Sequence, residues 1–472
     1  MVNLERALRS VREFSLKSDL GKIVRGWSLL SGGNMLASIM SLGAIIVAAR
    51  ALGPEQYGLL ATVQALALFI SAIFEFKTDI AVIRFGVEVL EDDREDDFLR
   101  LIKGMLVVDM VTAVAALLSA WAVIALAGEI FEIGDDLAWT AGIFCLVLLT
   151  GLKGVPAGLL RMFDRYALVP MREVLGAFLR LFFALVLAIA APRLDLFLVT
   201  WFVAEAAANV LFFWLAFREL GRNGHRNPFF ARGSLRFIRA AGVLRVLWHT
   251  TAASALRLGS ERADILFVSA LLGPTAVGIF NVAKSFANIL VRLCDTVQYA
   301  VAPQYSRLWV RGELAALRRT NLVVGGMALA LTAIILVGLF FTAPLIIRVA
   351  FGTEYLASAP VLLALTAAYG VMLLGNLYMS ALVAMDRAQA VMWISFVSAA
   401  ALFAPMPWLL SAIGVMGASF AHGARAFTWT IATFIVNART LRHQAYISSN
   451  KIGEIDQRLS DGRQENAKEN SV

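Results

Sequence analysis

Five polar residues, Thr250, Ser254, Arg257, Glu261 and Asp264, recur at spacings of 4, 3, 4 and 3 inside an apolar stretch. That spacing places all five on one face of an α-helix. The following stretch carries a second stripe: Asn281, Lys284 with Ser285, Asn288, Arg292 and Asp295. Guanidinium and ammonium groups in a low-dielectric setting attract anions strongly. The amides and hydroxyls beside them can hydrogen-bond. Charges held within a membrane normally face a wet cavity or one another.

The second alternative is concrete here, because Arg257 and Glu261 stand four apart and could neutralise each other. A milder stripe, Ser31, Asn34, Ser38 and Ser41, runs along the first apolar stretch and suits close helix packing as well as binding. Single charges complete the set: Asp109, Arg180, Glu205, His422 and Arg425. Candidate substrate contacts are Arg257, Lys284, Asn288, Arg292, Arg180, Asn34 and Asn281. Candidate ion-coupling carboxylates are Asp109, Glu205, Glu261 and Asp264, since burial favours a protonated carboxyl.

The elements that must position these residues cross a membrane. The chain is 60% hydrophobic and 16% charged, with a mean hydropathy of +0.75. A soluble domain has about 45–50% apolar and about 25% charged residues. Twelve apolar stretches are long enough to span a bilayer. They begin near Trp27, Gly58, Leu101, Leu137, Leu168, Leu196, Val246, Gly278, Asn321, Tyr355, Ala388 and Gly414. The fold class expected is all-α and polytopic.

Lysine and arginine fix the orientation. They crowd into alternate gaps, whereas the opposite side holds Arg50, Arg193 and Arg348. This positive-inside pattern predicts cytoplasmic N- and C-termini and accounts for the net charge of +8 without nucleic acid. Residues 1–26 read either as an amphipathic surface helix or as a solvated basic tail, and show no cleavable leader. The acidic run Glu91–Asp97 reads as a solvated loop. Residues 218–245 form a basic linker, and 438–472 a disordered tail.

The chain also repeats itself. Leu52-Gly53-Pro54-Glu55-Gln56-Tyr57-Gly58 returns 220 residues later as Leu272-Gly273-Pro274-Thr275-Ala276-Val277-Gly278. Phe163-Asp164-Arg165 returns 222 residues later as Met385-Asp386-Arg387. Two matches at nearly one offset mark a duplicated unit. The expected bundles are 27–217 and 246–437, parallel repeats around a central cavity, an architecture common in secondary transporters. At this offset Arg257, Glu261 and Asp264 correspond to Ala37, Ser41 and Ala44. The fold element manages without charge in the first half, which favours a cavity role for the stripe.

Enzyme signals are missing. There is no Walker A sequence, no metal spacing among the four histidines and no nucleophile–base pair. Cys145 and Cys294 both lie in apolar stretches and give no disulfide framework. The chain is expected to be neither an enzyme nor a cofactor protein.

The serine- and asparagine-rich first stretch, Arg50–Gly58, Phe74-Glu75-Phe76, Phe351-Gly352-Thr353-Glu354-Tyr355 and the two Asp-Arg pairs together resemble bacterial polysaccharide flippases. These form the O-antigen and exopolysaccharide branch of the multidrug/oligosaccharidyl-lipid/polysaccharide superfamily. The resemblance covers about residues 25–437. It implies two facing six-helix bundles in the bacterial inner membrane and movement of an undecaprenyl-pyrophosphate-linked oligosaccharide from the cytoplasmic to the periplasmic leaflet. Intramembrane carboxylates in a chain without an ATP motif suggest a proton or sodium gradient as the driving force, and the expected partners are membrane lipids, a polysaccharide polymerase and a chain-length regulator. Multidrug extrusion by the same fold, or a non-transporting scaffold role, is the alternative.

Overall fold

The structure is a computed structural model. It describes the backbone of residues 2–231 and 243–469, and the side chains of 32–231, 243, 247–248, 251, 255, 259–289, 301, 304–387 and 389–444. The described residues form helices and short 3-10 turns, without a strand. In chain order the helices are α1 (Val2–Phe74), α2 (Thr78–Glu91), α3 (Glu95–Ala127), α4 (Asp135–Cys145), α5 (Val147–Thr150), α6 (Gly154–Met162) and α7 (Met171–Ala190). Then follow α8 (Leu194–Arg222), α9 (Val243–Val310), α10 (Leu314–Phe351), α11 (Ser358–Ala384), α12 (Ala388–Phe403), α13 (Met406–Ile413) and α14 (Val415–Glu469). Nine stretches among the described residues are long and apolar enough to cross a bilayer. The stretch Gly32–Glu91 holds two helices folded back at Gly53. The chain is an all-helical, multi-span membrane protein.

Both copies of the repeated turn have one conformation. Gly53 sits at φ 73°, ψ 173° and Gly273 at φ 79°, ψ 177°, a left-handed region that side chains avoid. Asp164 and Asp386, the second matched pair, share φ 58°. The two Leu-Gly-Pro turns pack on each other reciprocally. A Cβ on Gly58 would lie 1.8 Å from the Pro274 carbonyl oxygen, and one on Gly278 would lie 2.2 Å from that of Pro54. Asn281 Nδ2 donates to Tyr57 Oη at 2.8 Å, and Tyr355 Oη donates to the Ala49 carbonyl at 3.0 Å. Asn281, a candidate substrate contact, thus serves this turn.

Two compact units emerge. One comprises Met1–Ile289, Thr342–Leu362 and Met406–Ala418; the other comprises Leu290–Phe341, Leu363–Pro405 and Ser419–Val472. The first gathers the N-terminal helices, both repeated turns and the start of α9.

Two features go beyond the sequence reading. The acidic run is largely exposed, as a solvated loop is, yet two of its residues are also paired: Arg226 Nη2 meets Asp96 Oδ1 at 2.6 Å, and the Arg226 backbone N–H donates to Glu95 Oε1 at 3.2 Å. His225 stacks on Phe163 and meets Phe98 at a tilt. The acidic residues dock the start of the basic linker, an attraction that counting each charged segment separately overlooks. Second, α14 continues to Glu469 instead of ending in a disordered tail.

Candidate functional site

Two apolar spans of the first unit are broken. Residues 75–77 separate α1 from α2, and 151–153 separate α5 from α6. The second break has a local cause. Pro156 lacks an N–H and its ring clashes with the carbonyl four residues back, so a helix can start there but not run through. At the first break the exposed backbone N–H of Lys77 donates to Thr251 Oγ1 of α9 at 3.2 Å.

The two breaks are pressed together. Gly154 and Gly158 face Thr78 and Val82: a Cβ on Gly154 would meet Thr78 Oγ1 at 1.9 Å, and one on Gly158 would meet Val82 Cβ at 2.8 Å. Small residues four apart allow such close helix approach. Asp109 of α3, 8% exposed, ties the breaks together. It accepts hydrogen bonds from Thr78 Oγ1 at 2.9 and 3.0 Å and from the Val155 backbone N–H. Its carboxylate therefore lies at the start of two half-helices, where N-terminal dipoles favour negative charge.

A charge network grows from this point. Lys153 Nζ meets Glu75 Oε2 at 2.8 Å, and Lys77 Nζ meets Glu75 Oε1 at 3.4 Å. Arg172 pairs with its neighbour Glu173, donates to Asn209 Oδ1 at 2.8 Å and lies 3.7 Å from Glu205 Oε2. Arg180 lies 3.6 Å from Glu205 Oε1, donates to Ser41 Oγ at 3.4 Å and to the Gly176 carbonyl at 3.3 Å. Glu205 of α8, its side chain 24% exposed, thus stands between two arginines of α7. Asn209 Nδ2 donates to Thr150 Oγ1 at 3.2 Å, extending the network to the end of α5.

Depth follows from helix rise. Lys153 lies 18 residues from the start of α4, and Arg172 lies 18 from the end of α7, each about 27 Å along at about 1.5 Å per residue. Arg180 lies 10 residues from the end of α7 and Glu205 11 residues from the start of α8, about 15–17 Å. The network thus climbs from one edge of a hydrocarbon core about 30 Å thick to its middle.

Chemically, Lys77, Lys153, Arg172 and Arg180 are balanced by Glu75, Glu173 and Glu205, with Asp109 behind them. Arginine forks suit phosphate oxygens. An anion entering this site would exchange with carboxylates already present. Sequence spacing missed Glu75, Lys77, Lys153, Arg172 and Glu173. These five residues share no single helical stripe. The available signal was the Gly-Leu-Lys-Gly-Val-Pro interruption at 151–156, since discontinuous apolar segments mark transporter binding sites.

The remaining candidates fall elsewhere. Lys284 is 5% exposed and Asp264 0%. Lys284 Nζ donates to Asp264 Oδ1 at 2.8 Å, to Asp264 Oδ2 at 2.6 Å and to the Glu261 carbonyl at 2.8 Å. All three ammonium hydrogens are engaged within the helical hairpin, and the pair is neutral. Glu261 is exposed, Asn288 is half-buried, and Asn34 is exposed with its carbonyl accepting from Ser38 Oγ. The side chains of Arg257 and Arg292 lie outside the described residues.

A multi-span helical membrane protein with charged, broken spans is the class this geometry defines. Residues 23–309 match the family model described as polysaccharide biosynthesis protein, and the chain belongs to that family. It is 25% identical over 344 residues to the inner membrane protein YghQ of Escherichia coli (strain K12), covering 71% of this chain and 94% of that protein. Its fold is similar to the lipid II flippase MurJ in an inward closed conformation, with TM-score 0.70, 12% identity and coverage of 89% of this chain and 90% of that one. It is also similar to an inward-facing MATE family transporter of the MOP superfamily, with TM-score 0.66, 12% identity and coverage of 88% and 96%.

Proposed function

We propose that this chain is a flippase that moves an undecaprenyl-pyrophosphate-linked oligosaccharide from the cytoplasmic to the periplasmic leaflet of a bacterial inner membrane by alternating access. The observation that carries this reading is the network at the two helix breaks. Four cations climb from one membrane edge to mid-depth along α7 and the neighbouring breaks, each within reach of a carboxylate. With the termini inside, as the lysine and arginine pattern predicts, its entrance lies at the cytoplasmic edge, where a lipid diphosphate begins its path. Serine and asparagine side chains nearby can hydrogen-bond sugar hydroxyls.

Family membership supports a role in polysaccharide synthesis, and the shared fold supports transport. Extrusion of cationic drugs is the weaker reading, because an incoming cation would meet Lys77, Lys153, Arg172 and Arg180. Glu205 is the exchangeable carboxylate. A diphosphate that takes Arg172 and Arg180 displaces Glu205 from both, and a cation that follows the carboxylate would couple passage to an ion gradient. The test is translocation of a lipid-linked oligosaccharide in vesicles containing the purified protein, with and without proton and sodium gradients. Transport of the glycan lipid is expected. Export of a cationic dye without movement of the glycan lipid would overturn the reading.

A further inference from the structure

Arg425 of α14 lies ten residues past Val415, about 15 Å along the helix and deep within the apolar layer. Its side chain is 8% exposed. Its Nε has no hydrogen-bond partner, and the group has no ion pair among the described residues. The other buried or half-buried cations described above all differ: Lys284 has Asp264, while Arg172 and Arg180 share Glu205. A guanidinium cannot shed its proton to escape the cost of burial, and an uncompensated buried charge is strongly unfavourable. Intramembrane charges of this kind mark functional sites.

The neighbouring turns are polar and buried. His422, one turn before Arg425 on the same face of α14, is buried, and its ring meets that of Tyr369 edge to face at 5.7 Å. Thr366, one turn before Tyr369 on α11, is buried with its hydroxyl unpartnered. The two helices are locked in register beside this point. Thr430 Oγ1 donates to the Val371 carbonyl at 2.8 Å, and Trp429 Nε1 donates to Asn376 Oδ1 at 3.0 Å. A Cβ on Gly375 would meet Trp429 at 2.2 Å. The helices are thus held together one turn beyond Arg425, and an acceptor of hydrogen bonds is what its Nε lacks.

We infer that Arg425 of α14, one turn beyond His422, is an anion site of the second unit that takes a phosphate group. Its role in transport rests on the function proposed above; its affinity for phosphate does not. The fork of Arg425 would bind two phosphate oxygens.

The experiment titrates the full chain in detergent with farnesyl diphosphate, inorganic pyrophosphate and farnesol, following heat of binding and melting temperature. Wild type should bind the two phosphorylated probes and not farnesol. Arg425→Gln should weaken one binding event about 30-fold, the expected loss for one charged, hydrogen-bonded partner. Arg425→Lys should fall between the two, and Arg172→Gln should retain this event. Stronger binding of farnesyl diphosphate than of pyrophosphate assigns the site to a lipid headgroup; equal binding assigns it to a free polyphosphate. An Arg425→Gln protein that titrates like wild type overturns the assignment. So does failure of both Gln and Lys variants to fold, which would make Arg425 structural. Loss of binding in Arg425→Gln, together with a wild type that flips no glycan lipid, leaves the phosphate site standing and removes the transport reading.

Discussion

Lys153 Nζ and Glu75 Oε2 meet at 2.8 Å, and each residue lies in the break of a different apolar span. Two interruptions distant in sequence are thereby joined by one ion pair. The pair is partly exposed, at 35% and 23% of the side chains, so its coupling should be modest. A double-mutant cycle with Glu75→Gln and Lys153→Gln, followed by thermal unfolding, should give a coupling of about 1 kcal/mol. Translocation should fall far more than stability. Equal losses in both would reduce the pair to a structural brace.

Lys284 and Asp264 should behave in the opposite way. Removing one partner of a fully buried pair leaves a bare charge and costs about 3–5 kcal/mol. Lys284→Met should therefore deplete folded protein, as read by size-exclusion fluorescence. Lys284→Met combined with Asp264→Leu should restore much of it. A Lys284→Met protein that folds normally but does not transport would return Lys284 to the list of substrate contacts.

The reciprocal turn gives a packing test. Gly58→Ala would drive a methyl into the Pro274 carbonyl, with an expected cost of about 1–3 kcal/mol. Gly326→Ala meets nothing within 4 Å and should leave the melting temperature unchanged. Matching melting curves for the two variants would contradict the close approach of the turns.

Orientation is checked by fusions. A reporter after Arg50 or Arg348 should report the periplasm, and one after Gly224 the cytoplasm. Reversal at any of these positions would place the network entrance on the wrong face.

Sequence revealed most of the architecture because membrane folding is governed by long apolar runs and by turns. Gly53 and Gly273 are matched in sequence and in dihedral angles, and Asp164 and Asp386 follow suit. The site was harder to read. Helical spacing finds charges that share one face of one helix, as it found Asp264 on one stripe and Lys284 on the next, but not whether the two stripes point at each other. The network of Glu75, Lys153, Arg172 and Glu205 joins four separate segments, two of them non-helical, and no single-helix period contains it. Arg180 and Glu205 were visible as lone charges; that Glu205 lies between Arg180 and Arg172 depends on how α7 packs on α8.

The most direct test of the central claim is the initial rate at which a polyprenyl-diphosphate-linked oligosaccharide crosses vesicles holding wild type or Arg172→Gln. Wild type should exceed protein-free vesicles. Arg172→Gln should slow crossing about tenfold or more at unchanged protein level and melting temperature, because one charged contact to the diphosphate is lost. Wild-type vesicles no faster than empty ones, or an Arg172→Gln rate equal to wild type, would contradict the account.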